Sequence, residues 1–66
     1  MVQVRFNGIS QQFLKDQLSL HEGASDSLVL RRVARVLGVV PADLGNYIVD
    51  RKPSGTWIVH PKAVHG

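Results

Sequence analysis

The chain has 66 residues, no cysteine and a formal net charge of +3 with the histidines neutral. That length supports one small domain with a thin core, and without cysteine neither a disulfide framework nor a cysteine-based zinc site can prop it up. No apolar run reaches the ~18 residues of a membrane helix and no signal-peptide pattern is present, so a soluble, cytoplasmic protein with no membrane partner is expected. The mildly basic balance permits nucleic-acid contact without demanding it.

Met1 to Phe6 alternates: Val2, Val4 and Phe6 point one way, Gln3 and Arg5 the other. This predicts a half-buried strand. Asn7-Gly8 follows, a strong hairpin signal because both residues tolerate positive φ. A returning strand is expected over Gln11 to Leu20. There Leu14, Leu18 and Leu20 share a face, Asp16 interrupts it, and a bulge near Lys15-Asp16 repairs the pattern. A helix from Ser10 to Leu20 is the alternative, since Leu14 and Leu18 are also four apart.

His21 to Ser25 is a turn containing Gly23, and it feeds the one strongly helical run, Asp26 to Gly38. At about 100° per residue, Val36, Val29, Val33, Leu37, Leu30 and Ala34 fall on one arc. Arg31, Arg35 and Arg32 fall opposite, with Leu28 the apolar residue among them. Ser25 or Asp26 can cap the start, and Gly38 can take the left-handed conformation that ends a helix.

Pro41 cannot continue that helix but can begin a turn through Ala42-Asp43-Leu44, closed by Gly45. Tyr47 to Val49 is a short β-rich run. Arg51 to Gly55 is a tight turn built on Pro53 and Gly55. Thr56 to His60 is a strand rich in β-branched and aromatic residues, and regular pairing weakens at Pro61, which has no N–H. Lys62 to Gly66 is expected to be a mobile tail. The order is strand, strand, helix, short turn, strand, strand. It predicts an α+β fold in which a sheet of three to four strands packs on one helix, with the first and last strands parallel at its centre.

That order resembles the ubiquitin-like β-grasp. MVQVRFNG is similar to the first strand and turn of the bacterial sulfur-carrier proteins of thiamine and molybdopterin synthesis. LSLHEGASDSLVLRRVARVLGV resembles their second-strand end, turn and helix. TWIVHPKAVHG resembles their last strand and the extended tail that ends in glycine. The match covers nearly the whole chain and rests on the order and spacing of these stretches. It implies a mixed-sheet β-grasp domain over 1–61 and a flexible tail over 62–66.

The resemblance also implies a role as a ubiquitin-like modifier or sulfur carrier. The carboxylate of Gly66 would be activated with ATP by an adenylating enzyme, then become a thioester on a downstream transfer enzyme, a thiocarboxylate or a bond to a target. Ala63, Val64 and His65 would thread that enzyme's tunnel, and a final residue without a side chain would let the backbone approach closely. The chain itself would be a substrate, not an enzyme. The family usually ends in two glycines. His65 stands at the first of these positions, which points to a divergent conjugation system.

The helix also fits a second pattern. Val33-Ala34, Leu37-Gly38-Val39, Leu44 and Tyr47 resemble the helix-turn-helix of small phage-type repressors. In this alternative, Pro41 to Asp50 is a DNA-recognition helix, Asn46 a base reader, and Arg51 and Lys52 phosphate contacts. Against it, Gly45 would sit mid-helix at a cost of about 1 kcal/mol relative to alanine. Ala42, Asp43 and Gly45 also offer little to a base edge.

Other chemistry is sparse. His21, His60 and His65 are scattered and show no metal-ligand spacing, and no cofactor motif is present. Asp16, Glu22, Asp26, Asp43 and Asp50 show no acid–base pairing. Trp57 reads as core or sheet packing. Lys15, Lys52 and Lys62 could accept chain linkages, but nothing singles one out. The Arg31, Arg32 and Arg35 face reads as a solvated surface or as a dock for an acidic partner.

Overall fold

The computed structural model describes residues 1–62. Strands β1 (Val2–Phe6) and β2 (Ile9–Phe13) form a hairpin, and helix α1 (Asp26–Leu37) follows. Strands β3 (Tyr47–Arg51) and β4 (Trp57–Pro61) form a second hairpin. The strands make one four-stranded sheet in the order β2-β1-β4-β3. Both hairpins are antiparallel, whereas β1 and β4 run parallel at the centre, Val2 beside Trp57 and Val4 beside Val59.

Local chemistry accounts for the elements. Asn7 (φ 52°) and Gly8 (φ 75°) both adopt positive φ, so the tight turn matches the twist of the flanking strands and sets Phe6 opposite Ile9. Ser25 supplies the helix cap: its Oγ accepts the Leu28 N–H at 3.2 Å. Asp26 is the first helical residue and keeps its carboxylate for another partner. At the other end Gly38 (φ 74°) closes the helix, and Val39 N–H returns to the Ala34 carbonyl at 3.0 Å.

The core lies between helix and sheet. Val2, Val4, Trp57 and Val59 come from the central strands, Val29, Val33 and Ala34 from α1, and Leu18, Leu20, Ala24 and Leu44 from the connections. No polar or charged side chain of the described residues is fully buried. Each valine withdrawn from water contributes about 1.5–3 kcal/mol, which makes the middle of α1 and of the sheet the main source of stability.

The second strand is shorter than expected and is not a helix either. It stops at Phe13, and the chain turns through a 3₁₀ segment at Lys15–Leu18. Gln17 drives the change: its side-chain Oε1 accepts the Leu14 N–H at 2.7 Å, while its own N–H donates to the Leu14 carbonyl at 3.0 Å. Ser19 then takes a left-handed conformation (φ 54°), which drops Leu18 and Leu20 into the core and leaves Leu14 outside.

The helix is also offset from its apolar arc. Val36, at the arc's edge, is 44% exposed, whereas Leu28, on the arginine side, packs against the core. β3 continues past Val49 to Arg51 because Arg51 pairs with Trp57 across the hairpin. The β1–β4 ladder ends at Val59, short of Pro61, so the missing proline N–H breaks nothing there.

Pro41 to Asp50 is not a helix. Pro41–Leu44 is a single 3₁₀ turn that plants Leu44 in the core, and strand β3 begins at Tyr47. The β-branched pair Ile48-Val49 joins the sheet instead, so the helix-turn-helix alternative lacks its recognition helix. No helix among the described residues is long and apolar enough to cross a membrane.

Candidate functional site

Strand β4 carries the chain to its C-terminal segment. Since β4 is central, its last residues emerge between β1 and β3. Phe6 and Tyr47 flank this end from the two neighbouring strands, their ring centroids 6.1 Å apart. Lys62 N–H donates to the Asn46 carbonyl at 2.8 Å, so the backbone is held one residue beyond the strand. Ala63, Val64, His65 and Gly66, the expected threading segment and reacting terminus, lie outside the described residues.

The arginine face of α1 divides. Arg31 and Arg35 are exposed and Arg32 is half-buried. Arg32 and Arg35 line a cleft of about 170 Å³ together with Gln17, Leu18, Ser19 and Val36, and Arg31 stands apart from it. The Arg32 Nε is buried without a hydrogen-bond partner. The ion pairs of the described residues are Lys15–Glu22, Arg51–Asp26 and Lys52–Asp50, so no carboxylate among them neutralises the cleft arginines. Gln17 and Ser19 escape a sequence reading because the segment carrying them looks like strand. The relevant signal is Gln17 three residues after Leu14, a spacing that lets a side-chain amide bond back to the backbone.

A second charged cluster surrounds Trp57, which is 3% exposed. Lys15 Nζ lies 4.2 Å and Arg51 Cζ 4.3 Å from its ring centroid. Lys15 also donates to Glu22 Oε1 and to the Gly55 carbonyl, both at 2.8 Å. The Lys15 hydrogen bond, aided by its charge, holds the Glu22 carboxyl below its ordinary value. Arg51 donates to Asp26 Oδ1 at 2.6 Å and to the Ala24 carbonyl at 2.8 Å. These contacts tie β3, β4, the start of α1 and the two preceding turns together.

Of the residues that the helix-turn-helix alternative assigns to DNA, Arg51 is engaged with Trp57 and Asp26 and Lys52 with Asp50, while the backbone carbonyl of Asn46 accepts from Lys62. Trp57 is core, in line with its reading as a packing residue. His21 Nδ1 accepts the Gly23 N–H at 3.2 Å, a bond local to its own turn. Among the described residues no three metal-ligating side chains gather in one place.

Compared with family models, curated proteins and solved structures, the chain matches none.

Proposed function

We propose that the chain is a ubiquitin-like β-grasp protein that acts as a modifier or sulfur carrier through Gly66. The observation that carries this reading is the parallel pairing of β1 with β4 at the centre of a four-stranded sheet, with α1 packed across it. A central strand is bonded on both sides, so its end is a fixed point from which an extended segment can reach an enzyme's active site. The Lys62–Asn46 bond supports the same role by setting where that segment departs.

In the proposed reaction a Gly66 carboxylate oxygen attacks the α-phosphorus of ATP and pyrophosphate leaves. A thiol, a sulfide equivalent or an amine then attacks the carbonyl, and AMP leaves. Every catalytic group belongs to the activating enzyme, and this chain contributes the carboxylate and a rigid handle.

The test is mass spectrometry of the chain carrying an N-terminal affinity tag, isolated under denaturing conditions from cells of its source. The reading expects either a product with one carboxylate oxygen exchanged for sulfur, or a branched peptide joining the Gly66 carbonyl to an amine or thiol of another protein. Both disappear on deletion of Gly66. Recovery of the free acid alone, with the chain well expressed, overturns it.

A further inference from the structure

The cleft between α1 and the Lys15–Leu18 turn has a chemistry of its own. Arg32 and Arg35 are neighbours on the helix surface, one turn apart. Lys15, Arg51 and Lys52 each hold a carboxylate, whereas Arg32 and Arg35 hold none among the described residues. The Arg32 Nε is withdrawn from water without an acceptor, an arrangement that costs free energy. Gln17 has already committed its Oε1 to the Leu14 N–H, so it has its amide donor left to offer the cleft. Ser19 adds a hydroxyl. The polar lining is therefore dominated by donors awaiting an anion.

The remaining lining is apolar. Leu18 forms part of the wall and Val36, 44% exposed, forms the rim. A volume of about 170 Å³ is several times the ~30 Å³ share of a water molecule, enough for a carboxylate with its methylenes. An inorganic oxyanion would satisfy the guanidinium groups but leave the exposed Val36 uncovered. An acidic side chain followed by an apolar one satisfies both.

We propose that this cleft docks an acidic segment of a partner protein, with a glutamate or aspartate carboxylate between Arg32 and Arg35 and an adjacent apolar side chain over Val36. Guanidinium–carboxylate pairs are short, directional and often bidentate, so they fix the partner's register as well as attract it. The proposal is independent of the chemistry at Gly66.

The experiment is an NMR titration of the isotope-labelled chain, following the arginine Nε–Hε signals and the backbone amides of residues 17–19. The probes are a capped peptide of alternating glutamate and leucine, the same peptide with glutamine for glutamate, and inorganic phosphate. The glutamate peptide is expected to shift the Arg32, Arg35 and 17–19 signals saturably, and the glutamine peptide to leave them unmoved. Arg35→Gln and Arg32→Gln each weaken binding roughly tenfold, the loss of about one charge-assisted hydrogen bond. Arg31→Gln leaves it unchanged, and Val36→Ser weakens it without altering the arginine shifts in free protein. Arg35 is exposed, so its variant tests the site even where Arg32→Gln perturbs folding. Three results overturn the proposal: no saturable shift, equal loss on Arg31→Gln, or phosphate competing as tightly as the peptide.

Discussion

The Arg51 guanidinium sits 4.3 Å from the centroid of the Trp57 ring while one of its nitrogens holds Asp26 at 2.6 Å. One side chain thus joins the end of β3, the start of β4 and the first residue of α1. The same nitrogen reaches the Ala24 carbonyl, which closes the turn before the helix. Because the Arg51 side chain is about one-third exposed, its ion pair is partly screened, and the ring contact and carbonyl bond carry much of its effect.

Arg51→Ala is therefore expected to destabilise the fold by about 1–2 kcal/mol, and Arg51→Lys by less, since a lysine keeps the charge but loses the planar guanidinium that lies over Trp57. Urea denaturation followed by Trp57 fluorescence measures both. Equal stability of Arg51→Ala and the parent chain would show the cluster to be ornamental.

The Lys15–Glu22 pair predicts a pH dependence of definite sign. The Glu22 carboxyl is held below its ordinary value by the Lys15 hydrogen bond, so its contribution is present above the unfolded-state value. It fades as pH falls through the folded-state value. Glu22→Gln should lower the melting temperature slightly at neutral pH, and the gap to the parent chain should close in acid. Glu22 is exposed, so the effect is small, and a gap that widens in acid contradicts the assignment.

Val33 and Val36 belong to the same apolar arc by spacing but differ in place. Val33 is fully buried and Val36 is 44% exposed. Val33→Ala is expected to cost about 2 kcal/mol through lost burial and a residual cavity, whereas Val36→Ala stays within about 0.5 kcal/mol. Paired thermal melts decide it. Comparable losses would mean that the helix is rotated about its axis from the position described.

The ends of α1 make a separate pair of tests. Ser25→Ala removes the acceptor for the Leu28 N–H and is expected to cost about 1 kcal/mol. Gly38→Ala meets no steric neighbour, yet φ is 74° there, so a similar cost of about 1 kcal/mol comes from backbone strain alone. Hydrogen exchange should show faster opening confined first to the affected end of the helix.

Most of the architecture was legible because its signals are local. Asn7-Gly8 announces a hairpin, Ser25 and Gly38 bracket a helix, and the alternation in Val2–Phe6 marks a buried face. The Lys15–Leu18 turn was not legible in the same way. The leucine spacing there fits a strand and a helix alike, and the outcome depends on one Gln17 side chain bonding back to Leu14. The contacts of Arg51 escape a sequence reading for a different reason: Trp57, Asp26 and Ala24 become its neighbours only after the sheet has paired. Arg31, Arg32 and Arg35 looked like one face, but the cleft takes two of them, because its other wall comes from the segment that spacing alone could not resolve.

The side-by-side parallel alignment of β1 and β4 has a mechanical consequence. A pull applied through Val2, at one end of the ladder, and Val59, at the other, slides the strands along each other. The bonds linking them are then strained together and must give way as a group. Antiparallel terminal strands pulled from adjacent ends would peel apart one bond at a time. A chain of this topology, tethered at both ends, would behave as a stiff link under tension despite its small size.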